Sequence, residues 1–390
     1  MRKRPVLSMI CLAIMLGASF LVSQHFLTEN RDPTEFYVGV TFSGNTATEA
    51  KILIDRVKGF TNLLVLQSGP VSKNETATNE ICDYAVEAGL NIIVYFGDLD
   101  PKILLRKDLM WRLSWLSTAK QRWGDKFLGV YYYDEPGGNW LDYGNWSTIF
   151  ELTSNITYDD VTGVYIQSTR NDGGYDQLRA NSITAFTSDY VLYWFDYLMG
   201  YDVLFAQIGW NQTLEQDIGL VRGAANLQNM SWGTIITWKY NHPPYLDSAD
   251  NIYDQMVMSY KAGTKYVVLF NYSPDSEGNP YGVITEEHFD ALERFWKDIV
   301  KNPAVIHGSI KTEAALVLPK NYGWGMRTKE DKIWAFWEPD NKSQQIWTIS
   351  RQLLTQYGLS LDIVYDDPAF PVTGKYPQIY YWNQTTTSNP

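Results

Sequence analysis

Short uninterrupted apolar runs alternate along this chain with longer stretches in which apolar residues recur every three or four positions. Phe36 to Phe42 is the first run, broken by Ser43-Gly44-Asn45. Ala50, Leu53, Ile54 and Val57 then repeat at helical spacing and stop at Gly59, a residue suited to a left-handed C-cap. Further runs follow at Asn62–Leu66, Asn91–Phe96, Phe127–Tyr133, Asp189–Trp194, Asp202–Ala206, Gly233–Trp238 and Lys265–Phe270. Helical patterns separate most of them. The last carries Phe289, Leu292, Phe295, Trp296 and Ile299 behind Thr285-Glu286-Glu287, whose acidic residues suit the first turn of a helix. From Leu141 to Ser188 helix is expected with a mixed period, and little room is left for a helix between the fifth and sixth runs.

Strands buried on both faces read as continuous apolar runs, and parallel strands need helical crossovers. Eight such units between residues 33 and 303 predict an α/β fold, a TIM (β/α)8 barrel. The competing doubly wound sheet would place a Gly-rich phosphate turn after the first strand, and Phe42-Ser43-Gly44-Asn45-Thr46 is not one. After Pro303 the rhythm restarts. Strand patterns at Ala314–Leu318, Lys332–Trp337, Leu361–Tyr365 and Gln378–Trp382, with a helix from about Ser343 to Gln356, predict a small α/β C-terminal domain over residues 304–384 packed on the barrel. Residues 385–390 read as a disordered tail.

The N-terminus changes the cellular picture. Arg2-Lys3-Arg4 precedes an uncharged stretch over residues 5–22, the basic start and apolar middle of an export signal. Val22-Ser23-Gln24-His25 is a poor cleavage site, and about twenty apolar residues span a bilayer. Residues 1–28 are therefore either a signal peptide or a membrane anchor, and an extracellular or cell-surface location is expected. Asn-x-Ser/Thr sequons at Asn74, Asn145, Asn155, Asn211, Asn229, Asn271, Asn341 and Asn383 point to a glycoprotein. Asn271 closes the eighth strand, where it cannot both line a pocket and carry a glycan.

Charge and composition exclude several function classes. A net charge of −12 disfavours nucleic acid as a partner. The only cysteines are Cys11 and Cys82, so removal of the leader leaves no internal disulfide and no cysteine-based metal site. The four histidines lie too far apart to suggest a zinc motif, and no phosphate loop, Gly-x-Ser-x-Gly or His-Glu-x-x-His is present. No metal and no cofactor are expected. Aromatic residues, by contrast, are abundant at 15%, more than a core needs, and surplus aromatic faces suit flat ligands such as carbohydrates.

In a barrel of this kind the site forms at the C-terminal ends of the strands. The sharpest signal there is Tyr131-Tyr132-Tyr133-Asp134-Glu135-Pro136-Gly137-Gly138, two adjacent carboxylates closing an aromatic strand before a turn. An acid in an apolar mouth has a raised pKa and can protonate a glycosidic oxygen, while its neighbour holds a polar group. The competing structural role for Asp134 is a cap or a salt bridge. Other substrate-binding candidates near strand ends are Asp98, Trp194, Asp196, Gln207, Trp210, Trp238 and Lys239.

An Asp-Glu pair at the end of strand four resembles the N-acetylhexosaminidase families of glycoside hydrolases, which use substrate-assisted catalysis. The resemblance implies Glu135 as general acid and Asp134 as the residue orienting the sugar's 2-acetamido group. The C-terminal region, with Leu361-Asp362-Ile363-Val364-Tyr365-Asp366-Asp367 and Tyr380-Tyr381-Trp382-Asn383, is similar to the flavodoxin-like domain that follows some β-galactosidase barrels. One departure bears on mechanism. Two-glutamate barrel glycosidases place a nucleophile at the end of strand seven, where this chain reads Ile236-Thr237-Trp238-Lys239-Tyr240 with no carboxylate. Three readings stay open: substrate assistance, an inverting pair using Asp98 or Asp196, and a non-catalytic glycan-binding or surface-layer envelope protein.

Overall fold

The computed structural model describes residues 36–144, 155–210, 213–272 and 279–384. The expected leader or anchor, the tail at 385–390 and the sequons at Asn145 and Asn211 lie outside them. Eight strands form the centre: β1 (Tyr37–Phe42), β2 (Leu63–Leu66), β3 (Asn91–Phe96), β4 (Phe127–Tyr132), β5 (Ala185–Asp189), β6 (Val203–Ile208), β7 (Ser231–Ile236) and β8 (Tyr266–Leu269). All pair in parallel in sequence order, and β8 closes on β1 with Gly39 opposite Val268, so the fold is a TIM barrel. Around it run α1 (Ala47–Val57), α2 (Glu75–Glu87), α3 (Pro101–Arg106), α4 (Trp111–Trp123), α5 (Pro136–Tyr143), α6 (Tyr158–Arg170), α7 (Gly173–Ala180), α8 (Tyr193–Met199), α9 (Leu214–Gln228), α10 (Ala249–Ala262) and α11 (Glu286–Phe295).

The apolar runs have a simple cause. Alternate residues point inward, where Leu63, Val65, Ile93, Tyr131, Phe186, Phe205, Ile235 and Val268 fill the barrel. Their neighbours Val38, Val40, Leu64, Ile92, Val94 and Leu204 point outward and are equally buried. Gly233 makes room for this packing, since a Cβ there would lie 2.4 Å from the Phe205 ring. The helices follow their predicted stripes. In α1 the buried residues are Ala50, Leu53, Ile54 and Val57, behind a capping box of Thr46 and Glu49.

Two expectations need correction. The fifth strand is Ala185–Asp189, and the stretch expected to be that strand runs instead into the short helix α8. Ala185-Phe186-Thr187-Ser188-Asp189 is less apolar than Tyr190 to Phe195, because its last residues carry polar atoms to the barrel mouth. Lys332–Trp337 is no strand either. Ile333 makes only isolated bridges to Trp324 and Trp337.

Beyond the barrel, β9 (Ala314–Leu318), β10 (Leu361–Tyr365) and β11 (Gln378–Tyr381) form a second parallel sheet with β9 in the centre, and α12 (Asn341–Tyr357) precedes β10. This sheet belongs to one compact unit with the barrel. It rests on α9, where a Cβ on Gly223 would lie 2.7 Å from Val364 and Arg222 pairs with Asp362. Among the described residues, no helix is long and apolar enough to cross a membrane.

Candidate functional site

The inward period continues past the strand ends and builds a cleft. Gln67 follows β2, Tyr95 ends the inner face of β3, Ser188 that of β5, Gln207 that of β6, and Thr237 and Phe270 follow β7 and β8. Together with Ser43, Asp134, Glu135, Trp210, Ile235, Trp238 and Tyr272 they line a mouth of about 410 Å³ at the C-terminal end of the barrel. Trp238 is the principal aromatic wall, with Tyr245 at 4.9 Å and Tyr272 at 5.6 Å between ring centres. Trp210 sits at the rim, 41% exposed, its N–H donating to the Trp238 carbonyl.

Among the described residues, Asp134 and Glu135 are the only carboxylates lining this cleft. The backbone that carries them is strained, because Tyr133 and Glu135 both take left-handed conformations, with φ of 55° and 51°. Each costs about 1–2 kcal/mol for a non-glycine residue, so surrounding contacts must hold the turn. Glu135 donates its N–H to the Ser188 carbonyl at 3.0 Å, and Asn139 Nδ2 donates to the Asp134 carbonyl at 2.8 Å.

The two side chains share one neutral hydrogen-bond chain. The Tyr131 hydroxyl donates to Asp134 Oδ1 at 2.5 Å, Ser188 Oγ reaches the same oxygen at 3.2 Å, and Gln67 Nε2 reaches Oδ2 at 3.4 Å. Gln207 Nε2 donates to Glu135 Oε1 at 2.6 Å and to Ser188 Oγ at 2.9 Å, which links the acids through β5 and β6. Burial, and then the neighbouring Glu135, push the Asp134 carboxyl up to about 7, against the hydrogen bonds from Tyr131, Ser188 and Gln67. Burial also raises Glu135, opposed by the Gln207 amide. Asp134 is thus disposed to hold a proton near neutrality, and Glu135 holds its proton more tightly than a free carboxyl.

Of the residues singled out in the sequence, the structure brings Asp134, Glu135, Gln207, Trp210 and Trp238 together in the cleft. Four others are elsewhere. Asp98 turns toward the α3–α4 side, accepting from the Asp100 N–H and pairing with Lys107 at 3.2 Å. Trp194 lies on α8, packed against Tyr365 and Phe370. Asp196, also on α8, is fully buried and accepts from the Tyr165 hydroxyl. Lys239 follows β7 but stands outside the lining, its N–H bound to the Tyr245 carbonyl. The misplacement of Trp194 and Asp196 follows directly from that of β5. An inverting pair through Asp98 or Asp196 is therefore ruled out as a cleft arrangement.

Asn271 neither lines the cleft nor offers itself for a glycan. It is 5% exposed, its backbone N–H donates to the Thr41 hydroxyl and its carbonyl accepts from the same hydroxyl, and its Oδ1 accepts from the Val283 N–H. The sequons at Asn74, Asn155, Asn229, Asn341 and Asn383 are exposed. Sequence reading missed Gln67, Tyr95 and Ser188. Their signal was the inward period itself, kept to the last inward residue of β3 and β5 at Tyr95 and Ser188 and carried one residue past β2 at Gln67. No three His, Cys, Asp or Glu side chains converge as a metal site among the described residues.

No protein-family model matches the chain, and no curated protein sequence does. Solved structures share its fold. The GH5_18 protein from Streptomyces cattleya, in complex with GlcNAc, matches with a TM-score of 0.53 over 90% of this chain and 99% of that one, at 12% identity. The exo-beta-1,4-mannosidase Op5Man5 from Opitutaceae bacterium strain TAV5 matches with a TM-score of 0.53 over 89% of this chain and 72% of that one, at 10% identity. These shares exceed the barrel alone, so the likeness of fold extends into the second sheet.

Proposed function

We propose that this protein is an exported glycoside hydrolase that holds a carbohydrate in the barrel mouth. Glu135 delivers a proton to the glycosidic oxygen and Asp134 holds a polar group of the same sugar. The observation that carries this reading is the Asp134–Glu135 pair in an aromatic-walled cleft, with neutral partners only and both carboxyls raised. Trp238 supplies a face for a pyranose ring. In this proposal the attacking group comes from the substrate, since the described residues of the lining offer no further carboxylate, and Asp134 Oδ2 accepts from its 2-acetamido N–H. The sugar-acting proteins among the structures of like fold agree with a carbohydrate ligand. Export through residues 5–22, cleaved or retained as an anchor, and glycosylation at the exposed sequons complete the proposal.

Glu135→Gln keeps the size and the Gln207 contact while removing the transferable proton. It is expected to lower hydrolysis of aryl glycosides by roughly 100-fold or more with the fold unchanged, the scale of general acid catalysis. Full activity in that variant would end the assignment. A second reading has one observation in its favour: both acids come from a single strand end, and the opposite wall offers Ile235, Thr237 and Trp238. It makes the cleft a glycan-binding site without catalysis, for which wild type and variant bind sugar alike and neither turns it over.

A further inference from the structure

Asp189, the last residue of β5, is fully buried and outside the cleft, yet its carboxylate is tied to the segment that follows Glu135. Oδ2 accepts from the Gly137 N–H at 2.5 Å, and Oδ1 accepts from the N–H groups of Gly138, Tyr190 and Val191 at 2.8–3.1 Å. Four backbone donors on one side chain thus join the end of β5 to the first turn of α5. The sequence of that turn is fitted to the contact. A Cβ on Gly138 would lie 2.2 Å from the Tyr190 ring, and one on Gly137 would lie 2.9 Å from Leu192 and 3.1 Å from Asp189 itself.

Behind Asp189 stands Asp196. Its Oδ1 accepts from Tyr165, its buried Oδ2 meets no donor, and its carboxyl interacts with that of Asp189. A proton on Asp196 supplies the missing hydrogen bond: burial and then Asp189 raise the Asp196 carboxyl, and burial also pushes Asp189 up to about 8 against the N–H groups of Gly137, Tyr190 and Val191. The ionisable groups that act on Asp189 or feel it are Glu135, Asp196, Tyr165, Tyr190, Tyr193 and Tyr201, none of them cationic.

We propose that Asp189 is a positioning residue for Glu135: its carboxylate, backed by the Asp196 carboxyl, fixes the Pro136–Gly138 turn and through it the strained backbone that aims the acid into the cleft. Asp189 touches no substrate in this scheme. The inference rests on the reading of Glu135 as the acid only for its kinetic consequence, since the position of Glu135 can be followed without turnover.

The test compares wild type, Asp189→Asn, Asp196→Asn and Asp196→Ala, with Glu135 titrated by carboxyl 13C NMR and hydrolysis split into kcat and KM. Asp189→Asn presents an amide N–H to backbone N–H groups. It is expected to shift the Glu135 titration and lower kcat by roughly 10–100-fold, the scale of a misplaced catalytic group, with KM little changed. Asp196→Asn can still accept from Tyr165 and donate to Asp189, so it is expected to retain both wild-type values, while Asp196→Ala loses them. If Asp189→Asn does not fold, Gly138→Ala, which pushes on the same turn, takes its place. An unshifted Glu135 titration in the folded variants, or equal losses in Asp196→Asn and Asp196→Ala, overturns the proposal. Absence of hydrolysis in wild type would instead remove the catalytic reading and leave the titration to decide the positioning role.

Discussion

Two carboxylates in this protein, one buried in a seam and one half-buried at the barrel mouth, have opposite fates. Asp362, in β10, meets Arg222 of α9 at 2.7 Å with both side chains buried, and Tyr376 donates to its other oxygen at 3.1 Å. Arg222 also donates to the carbonyls of Leu359 and Leu361, so the pair seats the second sheet on the barrel. Asp134, at the barrel mouth, has a tyrosine, a serine and an amide around it and no cation among the described residues. Burial raises both carboxyls, but at Asp362 a guanidinium opposes the rise, whereas at Asp134 the next largest influence is another acid. A buried carboxylate balanced by a cation serves architecture. One left among neutral donors is ready to take up a proton or a ligand's N–H.

The largest effect is expected at the seam. Arg222→Met strands the Asp362 charge and should cost about 3–5 kcal/mol of stability, with most of it recovered when Asp362 is also made apolar. Chemical denaturation reads this, and ligand binding in the cleft of the folded variant should be unchanged. Loss of binding would mean that the two regions are coupled and the contrast too sharp.

Asp134→Asn probes the other side. The carboxyl titrates at about 7 in the folded chain and near 3.9 in an unfolded one, so the folded state binds its proton more tightly. Its contribution to stability is therefore fully present below about pH 4 and lost as pH rises through 7. The asparagine variant lacks this loss. Relative to wild type it should gain about 1–2 kcal/mol between pH 5 and pH 9, a figure reduced from the full shift because the side chain is half-buried. Thermal melts across that range check it, and parallel pH curves would place a compensating cation near Asp134. The smallest effect concerns the wall: Trp238→Ala should weaken sugar binding by about 1 kcal/mol, roughly fivefold, by calorimetry.

How much of this was legible follows the same division. Seven strands of the barrel could be read because their residues are apolar on both faces, from Val38 and Val40 to Val267 and Val268. The fifth could not, because Thr187, Ser188 and Asp189 carry the polar atoms that the mouth and the α5 turn require. Asp134 and Glu135 were legible as acids out of place at a strand end. Ser188, Gln67 and the clamp at Asp189 were not, since single polar residues at strand ends acquire meaning only once register sets which of them point at one another. Asp98 and Asp196 misled for the converse reason: correct residue type, near a strand end, but turned to Lys107 and to Tyr165.

The most direct measurement is hydrolysis of a panel of aryl glycosides and polysaccharides by the purified protein, with products identified by mass spectrometry and Glu135→Gln run beside it. The account predicts cleavage of a 2-acetamido sugar by wild type and a loss of roughly 100-fold or more in the variant. Equal turnover by both proteins, or a folded wild type that binds sugar and cleaves none, would contradict it.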